Sequence, residues 1–160
     1  MLTEHPILLG GRVVVLDKPR NSDDLISEAD YVRDERLPYW ADLWPASSVL
    51  AAVVVEQGDV ATRPDGTEPR ALELGCGLGL GSIAAMLSGY VVTATDYYED
   101  ALLFTARNAM RATGQEPALR MVDWRDLPTD LGTFDLVLAA DVLYEPAHAA
   151  LVAETVARTL

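Results

Sequence analysis

Apolar residues fall along this chain in short continuous runs broken by glycine and proline. Ile7-Leu8-Leu9 and Val13-Val14-Val15-Leu16 flank Gly10-Gly11, the pattern of a β-hairpin. Residues 17–38 are charged and turn-rich (Pro19, Asn21, Ser22, Asp23, Asp24) and predict a surface excursion. After Trp44-Pro45-Ala46-Ser47-Ser48 an apolar stretch runs to Gly58. Pro near its start and Gly past its end predict a helix, although Val53-Val54-Val55 would also suit a strand. Residues 59–69 read as a loop. From residue 70 the alternation becomes regular. Ala71 to Leu74 predicts a buried strand, Gly75 to Gly81 a glycine-rich turn, Ser82 to Ser88 a helix stopped by Gly89, and Tyr90 to Thr95 a second strand. Leu102, Leu103, Ala106, Ala109 and Met110 then recur at helical spacing up to Gly114. Ala118 to Val122 and Phe134 to Ala140 complete four strands, and Pro146 to Leu160 predicts a last helix. Continuously apolar strands alternating with helices imply a parallel sheet covered on both faces. The expected fold is α/β, a Rossmann-like, doubly wound, mostly parallel sheet. Leu136-Val137-Leu138 has no later strand to pair with its far side, so the sheet is expected to lack its C-terminal strands. An open edge of that kind invites self-association.

No repeat or long linker divides the 160 residues, so one domain is expected, with residues 1–37 as an N-terminal hairpin and excursion and 38–160 as the core. Half of the residues are hydrophobic, enough for a chain of this size to bury about 70% of its unfolded surface. Twelve basic residues against twenty-five acidic ones give a net charge of −13, which argues against binding nucleic acid. Lys18 is the only lysine, which excludes a polybasic membrane contact. No apolar run approaches the ~18 residues of a membrane span, and the N-terminus does not open like a signal peptide. With Cys76 alone there is no disulfide framework, and a cytoplasmic location is the expectation. No His/Asp/Glu cluster has metal-ligand spacing, so no metal is expected. His5 in a loose N-terminus and His148 on a surface helix read as bystanders, and Ser47-Ser48 as helix-start chemistry.

The chemistry concentrates in Glu73-Leu74-Gly75-Cys76-Gly77-Leu78-Gly79. A strand that ends in alternating glycines before a helix lets backbone N–H groups approach a ligand at the helix N-terminus. A triphosphate-binding loop would need G-x-x-x-x-G-K-[ST], and the lysine is absent. The dinucleotide fingerprint G-x-G-x-x-G fails at Leu80, and the later frames fail at Ser82 and Ala84. Asp96 ends the second strand of the unit, where an acidic side chain can accept both hydroxyls of a ribose; it could equally cap the following helix. Asp123-Trp124 ends the third strand.

The stretch 73–79 closely resembles the E/D-x-G-x-G-x-G loop of class I S-adenosylmethionine (AdoMet) methyltransferases. Ala139-Ala140-Asp141-Val142-Leu143-Tyr144 carries a D-x-x-Y motif that resembles the seven-strand protein lysine methyltransferases. Pro38-Tyr39-Trp40-Ala41-Asp42-Leu43-Trp44-Pro45-Ala46-Ser47 resembles the same group, above all the electron-transfer-flavoprotein lysine methyltransferases and the bacterial nicotinamide N-methyltransferase-like proteins. The resemblance covers roughly residues 38–145, with its motifs in the family's order. It implies an AdoMet site lined by Trp44, Gly75, Cys76, Gly77, Gly79, Asp96, Trp124 and Ala140. Glu73 would lie toward the methionine amino group, with Asp141 and Tyr144 facing the methyl acceptor. Family members continue with three further strands that help to shape the acceptor pocket.

The implied reaction is methyl transfer to an amine, a protein lysine before a small molecule. A lysine amine reacts only when neutral, and with a usual pKa near 10.4 it must lose its proton before attack. A carboxylate such as that of Asp141 can draw in the cationic amine, and partial burial among Trp40, Trp44 and Tyr144 would favour the neutral form. Aromatic faces also suit a methylammonium product. Other readings are a small-molecule amine N-methyltransferase, a non-catalytic module that keeps the AdoMet fold, and a nicotinamide-dinucleotide oxidoreductase, which Leu80 opposes.

Overall fold

In the computed structural model, which describes residues 2–22, 25 and 37–160, the chain opens with the expected hairpin. Strand β1 (Leu2–Leu9) pairs antiparallel with β2 (Arg12–Pro19) across the Gly10-Gly11 turn. His5 lies within β1 opposite Leu16, not in a loose tail, because the pairing runs back to Leu2↔Pro19. β2 also continues through Pro19, into the stretch expected as loop. Residues 23, 24 and 26–36 of that expected excursion lie outside the described residues.

Helix α1 (Pro45–Glu56) settles the ambiguity at Val53-Val54-Val55 in favour of helix. Pro45 presets its first turn, Ser47 Oγ donates to the Trp44 carbonyl, and Ala51 and Val54 face the core. The regular part follows as β3 (Arg70–Leu74), α2 (Leu80–Leu87), β4 (Val91–Asp96), α3 (Glu99–Thr113), β5 (Ala118–Met121), β6 (Leu136–Ala139) and α4 (His148–Thr159). The four strands of this sheet are parallel, in the order β5-β4-β3-β6. Building therefore proceeds outward from β3 to β5, then jumps back to place β6 on the other side of β3. β6 is an edge strand.

Alternation along the strands sorts the two faces. Ala71, Leu136 and Leu138 face one cluster with Ile83, Ala84 and Ala85 of α2 and Ala101 and Ala109 of α3. Leu72, Leu74, Val137 and Ala139 face a second, where Val152 and Val156 of α4 join Phe134 and Leu131. The sheet is thus covered on both sides, as the sequence predicts.

One buried polar contact ties the hairpin to the sheet. Asn108 of α3, fully buried, accepts from the Asp17 backbone N–H at 2.8 Å and donates to the carbonyls of Asp17 (3.1 Å) and Leu78 (2.9 Å). The Asp17 carboxylate, itself buried, receives Arg107 Nε at 2.6 Å and Arg111 at 2.8 Å. Asn108 therefore joins β2 to the loop after β3. Replacing Asn108 with Ala strands a buried N–H and two carbonyls, for an expected loss of about 2–4 kcal/mol in urea unfolding. Asn108→Asp, which keeps the acceptor but loses the donors, should be no better.

Candidate active site

A cleft of about 260 Å³ opens at the carboxyl ends of β3, β4 and β6, where the strand order reverses. Such switch points are where open α/β sheets hold ligands. The volume is near the lower end of the ~300–1,000 Å³ usual for small-molecule sites.

The glycine loop forms its floor. The Cys76 N–H donates to the Thr95 carbonyl at 2.9 Å, carrying the β3–β4 pairing two residues past the end of β3, and Gly79 N–H closes a turn onto the Cys76 carbonyl at 2.7 Å. Gly79, at φ 84, precedes α2, and a side chain there would come within 2.9 Å of Thr105. Helix α2 starts at Leu80, earlier than the expected Ser82, so Gly81 belongs to the helix. A side chain on Gly81 would lie 2.2 Å from Glu73 Oε1. The last glycine of the run thus makes room for a buried carboxylate.

That carboxylate accepts from the Ser82 backbone N–H at 2.7 Å and from the Ser82 hydroxyl. Burial pushes the Glu73 carboxyl up from 4.5 to about 7, with the Ser82 hydrogen bonds opposing the rise and the nearby Asp96 charge adding to it. Asp96, at the end of β4, accepts from Gly77 N–H at 2.9 Å and from Tyr98 N–H at 3.1 Å. Its carboxyl is likewise raised by burial, against those backbone bonds. Tyr98 rather than Asp96 occupies the N-cap of α3. Cys76 is buried, receives the Thr105 hydroxyl at 3.2 Å, and has its thiol pushed well up by burial and by the two acids. A thiol so raised favours packing over nucleophilic chemistry.

Aromatic side chains follow one another around the wall. Trp44 meets Tyr39 at 6.0 Å between ring centres, Tyr39 meets Tyr144 at 5.4 Å, Tyr144 meets His148 at 4.7 Å, and His148 meets Trp124 at 5.3 Å, all edge-on. Tyr144 is 58% exposed, which excludes a core role. Trp40 departs from expectation: its ring packs against Phe104 at 5.3 Å in the core, and Tyr39 takes its place beside Trp44. Beyond Trp124, Arg125 clasps the Asp123 carboxylate at 2.8 Å and the Tyr97 hydroxyl at 2.8 Å.

The cleft brings together Trp44, Glu73, Gly75, Cys76, Gly77, Asp96, Trp124, Ala140, Asp141 and Tyr144. Gly79 stands apart, against Thr105 rather than in the cleft wall. His148 was expected on an exposed helix face, yet it opens α4 with its ring turned into the cleft. Tyr97 and Arg125 are further lining residues that the motifs do not flag. Among the described residues, no three His, Cys, Asp or Glu side chains are placed to share a metal ion.

The family model described as lysine methyltransferase matches residues 33–160. The chain belongs to the lysine methyltransferase family. Among curated members, it is 32% identical over 113 residues to the electron transfer flavoprotein beta subunit lysine methyltransferase of Danio rerio, covering 70% of this chain and 41% of that protein. It is 37% identical over 117 residues to a protein N-lysine methyltransferase of the same organism, covering 69% and 50%. The chain thus spans half or less of the lysine methyltransferases it resembles. The fold is shared with magnesium protoporphyrin IX methyltransferase from Synechocystis PCC 6803 with bound SAM (TM-score 0.53, 20% identity, 85% of this chain and 68% of that one). It is also shared with a ribosomal protein L11 methylase from Lactobacillus delbrueckii subsp. bulgaricus (TM-score 0.54, 24% identity, 71% and 54%).

The Glu73 carboxyl gives a pH test. Its pKa is higher folded than unfolded, so the stability it contributes is fully present below about pH 4.5 and is lost as pH rises through about 7. Against Glu73→Gln, which does not titrate, the wild-type chain should lose about 3 kcal/mol between pH 4.5 and 8. Urea midpoints of both proteins across that range measure it, and a pH-independent difference would contradict the buried, proton-holding carboxyl.

Proposed function

We propose that this chain carries the cofactor site and part of the acceptor site of an AdoMet-dependent protein-lysine methyltransferase. The observation that carries the reading is the loop itself: glycine backbone between two buried acids, opening onto a cleft at the switch point. The residues fit the group. At Gly75 and Gly77 a side chain would meet Val142 and the Trp40 carbonyl, so both positions stay bare and the cleft floor there is backbone.

In this reading Asp96 holds the ribose hydroxyls, Trp124 and Ala140 border the adenine, and Glu73 lies toward the methionine ammonium. Trp44, Gly75, Cys76 and Gly77 complete the wall. When bound, AdoMet supplies an electrophilic methyl group. The chain's own part is to bring an amine into line with it and to keep water out, and positioning of this kind accounts for a large part of such catalysis. The Asp141 carboxylate attracts and orients the cationic amine. Tyr144, Tyr39 and Trp44 surround it with low-dielectric faces, which favours the neutral, nucleophilic form and also accommodates a methylammonium product.

The net charge of −13 favours a basic protein surface as partner and disfavours nucleic acid. Among the described residues no helix is long and apolar enough to cross a membrane, consistent with a cytoplasmic protein. The open edge of β6 is the surface through which a second copy would add to the sheet.

The test is transfer from tritiated AdoMet to an array of lysine-bearing proteins, with free lysine as a free-amine control. Label should appear on protein lysine, and Asp141→Asn should lower transfer by about 100-fold while AdoMet affinity stays within about twofold. Label on the free amine alone would replace the protein substrate by a small molecule. Transfer by Asp141→Asn at the wild-type rate would remove Asp141 from the acceptor site.

A further inference from the structure

Residues 140–147, between β6 and α4, carry Asp141 and Tyr144 without a ladder or helix to hold them. Asp141 sits at φ 55, the one non-glycine with positive φ among the described residues. A residue so placed is disfavoured by roughly 1–2 kcal/mol and persists only where its surroundings fix it. Two contacts fix this one, both through its neighbour. The buried Val142 side chain occupies the space that a side chain on Gly75 would need. The Val142 carbonyl pairs with His148 Nδ1 at 2.9 Å.

A carbonyl only accepts, so the imidazole carries its proton on Nδ1 and donates it there. Among the described residues this is the one hydrogen bond that a side chain makes to residues 140–144. The same ring lies edge-on to Tyr144 at 4.7 Å and to Trp124 at 5.3 Å, and is itself largely buried. His148 therefore touches the backbone beside Asp141, the ring of Tyr144 and the opposite wall of the cleft.

We infer that His148 is a positioning residue for the methyl acceptor, locking the turn through the Val142 carbonyl so that Asp141 and Tyr144 face the cleft together. This rests on the proposed cofactor and acceptor reading of the cleft. A histidine at this place is not asked for by the D-x-x-Y motif, and it acts through the turn, not on the reacting atoms.

Two AdoMet analogues separate the effect from a general structural one. S-adenosylhomocysteine engages the cofactor side, whereas sinefungin carries an extra ammonium in place of the methylsulfonium centre and so also senses Asp141 and Tyr144. In calorimetric titrations of the whole chain, His148→Ala should weaken sinefungin by about tenfold and S-adenosylhomocysteine by less than about twofold. His148→Asn, whose side-chain N–H can still reach the Val142 carbonyl, should recover sinefungin affinity to within about threefold of wild type. Equal weakening of both ligands, no weakening of either, or no recovery in His148→Asn would overturn the positioning role. If the wild-type chain binds neither ligand, the reading of the cleft fails and this inference falls with it. If it binds both and the selective loss is missing, the inference alone fails.

Discussion

The carboxylates of Glu73 and Asp96 stand buried at the ends of adjacent strands and accept backbone N–H groups from opposite sides of the loop between β3 and α2. That arrangement governs what surrounds it. A buried carboxylate must find donors or give up its charge, and here the donors are the loop and the first turn of α2. Satisfying Glu73 requires a helix residue without a side chain at Gly81, and satisfying Asp96 requires the Gly77 N–H to turn back toward β4. The loop is thereby stretched into a shallow cradle with Gly75 and Gly77 at the cleft. Glu73 answers the remaining cost by holding its proton to about pH 7, so its charge state is poised to respond to a cationic ligand.

The rest of the molecule braces that cradle. Asn108 fastens the Leu78 carbonyl to the hairpin from beneath, so β2 is tied by a buried amide to the loop after β3. Val142 presses on Gly75 from above and ties the end of β6 to the loop after β3. Two strands that diverge at the switch point are thus joined over the site by one valine, whose carbonyl in turn meets α4 through His148. The turn that carries Asp141 and Tyr144 and the glycine loop share this contact, which couples their positions although they lie far apart in sequence.

Much of this was legible in the residues, and for definite reasons. β6 announced itself because a strand buried in the sheet is continuously apolar, as in Leu136 to Ala140, and β3 because Ala71 to Leu74 is broken only by Glu73. The loop was legible because glycine at alternate positions after a strand has few other uses. Boundaries were less so: α2 begins at Leu80 because Gly81 serves Glu73 rather than the turn, and no local rule reveals a side chain arriving from eight residues upstream. The orientation of neighbouring aromatics was also hidden. Trp40 and Tyr39 sit in one short motif, yet a single helical turn sends the larger ring into the core against Phe104 and leaves the tyrosine at the cleft. His148 carried no signal, since its role depends on the carbonyl of Val142, which has no identity in a sequence. Gly79 shows the reverse case, a motif residue whose duty is to clear Thr105.

The backbone cradle between two buried acids is the proposed AdoMet site. Calorimetric titration of the purified chain with AdoMet, S-adenosylhomocysteine and NAD in parallel tests it most directly. Micromolar binding of the first two with no heat from NAD is the expected result. Binding of NAD alone would contradict it and assign the loop to a dinucleotide.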